Sequence, residues 1–311
     1  MTRFINMWLL LLAMMGFLCP IHAAQLCGDQ KVTLQVLGSG GPEIDDGRAS
    51  SSYVIWLDGQ ARVLVDVGPG SSINFGQSGA SIDDIDVIAL THLHVDHSAD
   101  LASFIKGSFF SGRQHDLLVI GPEQNALMPS TSRFVNAMFS QQGAYPYLQS
   151  YVVPKKENAY HIVSKDVPIR EHRVSDYPLN KSLQLQAVAV HHGPVAAVAW
   201  RVNIAGCAIT FSGDMNNDYR TLAKLAAGTD ILVMHNAIPE GAHGVAAHLH
   251  MTPSQIGRIA QQAAAKKVVV SHRMHRTLGK EDETLRYIRQ SYTGPVIFAD
   301  DLDSFDLNVA K

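Results

Sequence analysis

The chain lacks the marks of several protein classes, and each gap narrows what it can be. It has no excess of positive charge: 25 Lys and Arg stand against 28 Asp and Glu, a formal charge of −3. A general nucleic-acid binder carries a basic footprint, so no nucleic-acid partner is expected. Cysteine is scarce, with three in 311 residues, and none falls in a metal-ligand spacing. There is no internal repeat, no low-complexity tract and no linker rich in Gly, Ser or Pro. Long apolar runs are absent but for one, residues 7–18, which follows the lone charge of Arg3 and precedes Pro20 and Ile21-His22-Ala23-Ala24. A basic start, a short apolar core and small residues at a cleavage point read as a secretory signal peptide. The run is shorter than the roughly 20 residues of a membrane span. Residues 1–23 are therefore expected to be removed on export, to the periplasm or the medium. No membrane attachment is expected afterwards.

What remains is sufficient for a globular enzyme. Hydrophobic residues make up 46% of the chain, enough for a real core, and one compact domain over residues 30–309 is expected. Cys19 leaves with the signal. Cys27 and Cys207 either pair, as an oxidising compartment permits, or remain two separate thiols. Short β-branched runs bounded by Gly, Pro, Asp or Asn predict strands at residues 31–37, 53–57, 62–67, 87–90, 117–120, 183–190, 198–202, 208–211, 231–234 and 267–270. Helical spacing marks 99–108, 125–139, 218–226, 253–265 and 282–291, the fourth with Thr252 as N-cap and Pro253 at its first position. Early strands come in hairpin-like pairs and later ones alternate with helices, which favours an α/β arrangement of two packed sheets with helices outside. The polar stretch 154–180 reads as a long surface connection or an insertion over a site.

Chemistry concentrates at one strand end. Val87-Ile88-Ala89-Leu90 runs into Thr91-His92-Leu93-His94-Val95-Asp96-His97, which carries three His and one Asp within six positions. In extended chain His92 and His94 project to the same side and can meet one cation, while Asp96 and His97, past a turn, can reach a second. Imidazole and carboxylate are ligands that zinc accepts, and a catalytic zinc keeps a position open for water. A second metal needs further ligands. Three other predicted strands end in candidates: His191-His192-Gly193-Pro194, Ser212-Gly213-Asp214 and Ser271-His272. Each lies just past a carboxyl end, the usual place for a site in α/β architecture. An Asp between two cations can bridge them with its two oxygens.

Taken in order, Val36-Leu37-Gly38-Ser39-Gly40-Gly41-Pro42, Leu64-Val65-Asp66-Val67-Gly68-Pro69-Gly70, the His92–His97 signature, His192, Asp214 and His272 resemble the metallo-β-lactamase superfamily, especially its tRNase Z-like and arylsulfatase-like phosphodiesterase branch. The resemblance covers nearly the whole mature chain. It implies an αββα sandwich of two mixed β-sheets flanked by helices. It also implies two divalent metal ions, Zn2+ before Mn2+ or Fe2+. His92, His94 and His192 would hold one, Asp96, His97 and His272 the other, with Asp214 bridging. His192 is preferred to His191 because it shares a strand face with Val188 and Val190 and directly precedes Gly193-Pro194. Asp66 is expected to accept a hydrogen bond from a ligating His, and Gly68 and Gly70 to serve as turn residues.

That resemblance implies hydrolysis of an ester, by a phosphodiesterase or a related phosphate or sulfate esterase, with water activated between the metals. Asp96 would orient the water. His250, in His248-Leu249-His250-Met251-Thr252, matches a proton-donating His, unless both His merely decorate a polar loop. The segment His235-Asn236-Ala237-Ile238 departs from the branch's His-Glu-Ala-Thr, and no Gly- and Pro-rich basic arm is present. A small-molecule ester is therefore the expected substrate. A lactonase or β-lactamase acting on a carbonyl is the alternative, although Asp214 argues against the β-lactamase branch. A non-catalytic metal-binding protein is a third reading, opposed by the full ligand set.

Overall fold

Strands buried on both faces must be apolar at consecutive positions rather than alternate ones, and the continuous runs of this chain do fold that way. The computed structural model describes residues 27–153 and 160–307. The expected signal segment, residues 1–23, lies outside the described residues, as do the last two positions of the expected domain. Among the described residues, no helix is long and apolar enough to cross a membrane.

Fourteen strands form two sheets. The first half of the chain supplies β1 (Val32–Gly38), β2 (Ser52–Leu57), β3 (Gln60–Val67), β4 (Val87–Ala89), β5 (Leu117–Pro122) and β6 (Ile162–Val167). The second half supplies β7 (Ser175–Pro178), β8 (Leu183–His192), β9 (Val195–Ile204), β10 (Cys207–Phe211), β11 (Ile231–His235), β12 (Val268–Ser271), β13 (Val296–Phe298) and β14 (Ser304–Asp306). The sheet orders are β14-β1-β2-β3-β4-β5-β6 and β13-β12-β11-β10-β9-β8-β7. In each sheet, antiparallel hairpin pairs give way to parallel strands, from β3 onward in the first and from β10 onward in the second. Both sheets are mixed, as expected.

Eight α-helices, α1 (Ser71–Gln77), α2 (Val95–Ser98), α3 (Leu101–Ser108), α4 (Thr131–Phe139), α5 (Leu222–Leu225), α6 (Val245–Leu249), α7 (Pro253–Gln262) and α8 (Glu281–Ile288), and two 3-10 turns, Ile82–Asp84 and Pro146–Tyr151, complete the described elements. Three apolar layers result. Val63, Val65, Trp200, Val202 and Phe211 meet between the sheets. Leu64 and Ile88 face outward to Phe104 of α3 and Val135 of α4. Leu232 and Val270 face outward on the other side to Ile256 and Ile259 of α7. This is the αββα sandwich. The sheets are also stitched by hydrogen bonds at the strand end that matters: Val198 N donates to Thr91 O, and Trp200 Nε1 to Leu90 O, each at 2.9 Å.

Several expectations change. The stretch 154–180 is not one long connection: it contributes β6 and β7, the two opposed sheet edges. Only the ends of β6 are buried, so its polar middle hid the strand. β13, β14, α1 and α6 were also unforeseen, being short. The helix expected at 125–139 begins only at Thr131, where the side chain of Ser130 accepts from Arg133 N. The α7 start holds: the Gln255 side chain accepts from Thr252 N at 2.8 Å, with Pro253 at the first position. Cys27 and Cys207 are bridged, with Cα atoms 5.1 Å apart and a sequence separation of 180.

Candidate metal centre

Loop segments after β4, β8, β10, β11 and β12 converge at one end of the sandwich. His94 is extended (φ −63°, ψ 153°), and the single turn of α2 then carries Asp96 and His97 back towards His92. Asp66 anchors the loop from below. It is fully buried and accepts from Thr91 N at 2.7 Å, Thr91 Oγ1 at 2.8 Å and His97 Nδ1 at 2.8 Å. Gly70 is a left-handed turn residue (φ 88°), as expected. Gly68 is not: a Cβ there would strike the main-chain oxygen of Asp96, so close approach explains it. Gly41 likewise lies where a Cβ would stand 2.9 Å from His272 Cε1.

Two groups of side chains meet around Asp214. The rings of His92, His94 and His192 form a triangle with centroids 4.7, 4.8 and 5.1 Å apart. On the other side His97 Nε2 lies 3.5 Å from Asp96 Oδ2, and His272 Nε2 lies 3.2 Å from the same oxygen. Asp214 touches both groups, with Oδ2 3.8 Å from His192 Nε2 and 3.6 Å from His97 Nε2, and Oδ1 3.5 Å from His272 Nε2. All seven expected residues therefore come together. Three rings are held by their outer nitrogens: His92 Nδ1 by Thr91 Oγ1 (3.1 Å), His97 Nδ1 by Asp66, and His192 Nδ1 by Leu249 O (2.8 Å). The inward nitrogens His92 Nε2 and His97 Nε2 are buried with no hydrogen-bond partner. Unpartnered inward nitrogens on anchored rings, gathered with carboxylates in one cluster, are what a metal needs. The cluster is suited to metal binding, and its all-nitrogen-and-oxygen donor set fits zinc and neighbouring divalent ions.

Charge in the cluster points the same way. Burial alone would lower the pKa of His97, but the carboxylates of Asp96, Asp66 and Asp214 outweigh it and raise it well above the usual range. His272 is also raised: burial opposes, and Asp214 and Asp96 prevail. Burial, with the neighbouring rings, holds His92 well below its ordinary value, and burial lowers His94 and His192. Burial opposes ionisation of Asp214 and Asp96, but their pKa values are lowered, Asp214 by His272 and His97 and Asp96 by His97 and His272. The buried carboxylates thus favour positive charge on the rings beside them, a task that cations perform better.

His235 is the member that sequence reasoning missed. Its Nδ1 donates to Asp214 Oδ1 at 2.8 Å, and its Nε2 accepts from Tyr53 OH at 3.0 Å. Burial pushes its pKa down to about 4, so the ring is neutral and both nitrogens are used. It orients Asp214. The signal for it was present, since a His closing an apolar strand is also what marked His272. His191 turns aside, with Nδ1 3.0 Å from Asn216 Oδ1, so His192 is the member of the cluster. His250 is inside: Nδ1 is 3.8 Å from Asp214 Oδ2, and burial, with His272, His192 and Arg276 adding, lowers its pKa to about 3. His248 is exposed.

Residues 61–273 match the family model described as the β-lactamase superfamily domain. Ribonuclease Z of Mycobacterium sp. (strain KMS) is 26% identical over 259 residues, covering 78% of this chain and 84% of the relative. The crystal structure of human tRNase Z, short form, superposes with a TM-score of 0.66 at 20% identity, covering 88% of this chain and 98% of that one. The metallo-β-lactamase fold protein YhfI from Bacillus subtilis also gives 0.66, at 18% identity, covering 89% and 99%. These two likenesses establish the fold. The ribonuclease relatives correct the expectation that nucleic acid plays no part. That expectation rested on net charge, which sums over the whole surface. In a metal site the bound ions are the largest local charges, and they meet a phosphate whatever the total.

Proposed function

The chain is a member of the metallo-β-lactamase superfamily, and from that membership we propose an exported, two-metal phosphodiesterase. His92, His94 and His192 would hold one ion and Asp96, His97 and His272 the other, with Asp214 placed between the two groups. The single observation that carries this reading is the placement of Asp214, whose carboxylate lies within 3.8 Å of a ring from each group. Two divalent ions, zinc first, would supply an activated water and positive charge for the attacked phosphate. The chain's own part is positional. Asp66, Leu249 and Thr91 hold the rings, the His235–Tyr53 pair holds Asp214, and Asp96 aligns the attacking water. Neutral His250 would donate a hydrogen bond to the leaving oxygen; an anionic substrate beside the ring would raise its pKa, and the ring, once protonated from solvent, would pass that proton to the leaving oxygen. The scissile bond is a phosphodiester, in a nucleic-acid strand or a smaller diester.

Export is supported by the leader-like residues 1–23 and by the Cys27–Cys207 bridge, since disulfides persist in oxidising compartments. The test has two parts. Cell fractionation with N-terminal sequencing should find the chain outside the cytoplasm, starting after Ala23 or Ala24; an intact cytoplasmic chain removes export. Metal analysis should give about two ions per chain. Hydrolysis of a panel holding a phosphodiester, a phosphomonoester, an aryl sulfate, a lactone, a cephalosporin and a short RNA should favour the diesters. No bound metal, or a preference for the lactone, overturns the proposal.

A further inference from the structure

On the segment that leads away from Asp214 and on α7, two arginines serve no structural pairing. Among the described residues, the guanidinium groups of Arg220 and Arg258 form no hydrogen bond and pair with no carboxylate. With Asn217, Asp218, Gln255 and Gln262 they line a pocket of about 350 Å³, within the range of small-ligand sites. One wall is the segment leading away from Asp214, and Asn217 lies three residues beyond it, at most about 10 Å along the chain. The other wall is α7, which begins three residues after His250. The pocket therefore shares its supporting loops with the reaction centre.

The acid on its wall does not neutralise the arginines. Asp218 Oδ2 is held at 3.1 Å by Asn216 Nδ2 and lies 3.4 Å from His191 Nδ1. Asn217 supplies an unsatisfied group of the opposite kind: its Oδ1 is buried without a hydrogen-bond partner. The turn also holds Asn217 and Arg220 at φ 71° and 54°, a left-handed conformation uncommon for residues with a Cβ and associated with functional sites. Free guanidinium groups select phosphate, and an orphaned acceptor selects a hydroxyl or amine. A phosphate with such a donor beside it describes a nucleotide unit.

We propose that this pocket binds a nucleotide unit, its phosphate on Arg220 and Arg258 and its donor on Asn217. The inference rests on the phosphodiesterase reading, and extends it by naming where a strand continues past the scissile bond. The nucleotide belongs either to such a strand or to a free mononucleotide. The test is fluorescence anisotropy of the metal-loaded protein with a labelled RNA trinucleotide whose phosphorothioate links resist hydrolysis. AMP is titrated in a separate arm.

The double variant Arg220→Gln/Arg258→Gln should weaken binding at least about tenfold and flatten the plot of log affinity against log salt by about 0.7. Asn217→Gly, which suits the left-handed backbone, should weaken binding with no loss of melting temperature. If AMP binds in an arginine-dependent way and the trinucleotide does not, the occupant is a free nucleotide. If the double variant binds both ligands as the parent does, the pocket is no nucleotide site. Arginine-dependent binding without any turnover would sink the phosphodiesterase reading and keep the pocket; turnover with arginine-independent binding would do the reverse.

Discussion

Replacing Asp66 by Asn changes one atom of a group that touches no metal, yet it should cost metal affinity. Asp66 Oδ1 accepts from Thr91 N, and Oδ2 accepts from both Thr91 Oγ1 and His97 Nδ1. The backbone should remain in place, because Asn has the same shape and tolerates the left-handed conformation found here (φ 57°). If the amide oxygen keeps Thr91 N, the amide NH2 faces His97 Nδ1. The hydroxyl of Thr91 can turn and accept, but His97 must give up its Nδ1 proton. In the neutral ring that moves hydrogen to Nε2, the nitrogen left unpartnered inside the cluster. Partners of this kind are worth about 10- to 100-fold in metal affinity, or about 1.4–2.7 kcal/mol. Competition against a chromogenic chelator measures this directly, and circular dichroism of the chelated protein checks the fold. An Asp66→Asn protein that keeps parental metal affinity would refute the argument that the tautomer of His97 is set from below.

Asp214→Ala should lose both ions together and abolish turnover, since one carboxylate serves both groups; a variant retaining two metals and full activity would remove the site as drawn. Removing the bridge with Cys27→Ser and Cys207→Ser releases a 180-residue loop, for which chain entropy gives an upper figure of about 5 kcal/mol and experience about 2–4. The melting temperature should drop by roughly 10 °C, and no shift in calorimetry would show that the bridge restrains nothing. Metal loading should be proton-linked. The carboxylates around them raise the pKa values of His97 and His272, which favours proton uptake on both rings in the metal-free protein. Cations must displace those protons, so affinity falls as pH falls. Titration calorimetry in buffers of different ionisation enthalpy should detect about one to two protons released, and buffer-independent heats would contradict the charge assignment.

The sequence was most informative where function constrains residue type at short range. His92, His94, Asp96 and His97 lie within six positions, and no distant contact is needed to see that they can share cations. His192, Asp214 and His272 were legible because each closes an apolar strand, and parallel strands in one sheet bring their carboxyl ends to one edge. The strands themselves were legible where both faces are buried, as in β3 and β11, and lost where one edge meets solvent, as in β6. His235 was passed over although it too closes an apolar strand. Its sequence context differs from the branch pattern only in its neighbours, and its task depends on Tyr53, 182 residues away.

The sequence by itself determined the chemistry: a cluster of imidazoles and carboxylates at strand ends, in a chain with too few thiols for a thiolate metal site. Ligand identity is a property of residue type and local spacing, and both are written in order along the chain. Tertiary structure alone decided which side chains complete the arrangement. It turned His192 inward and His191 aside and closed Cys27 onto Cys207. It set His235 against Asp214, and left Arg220 and Arg258 unpaired beside one pocket. Those outcomes depend on distances between residues far apart in sequence, and these are set only when the two sheets pack face to face and bring their loops to one end.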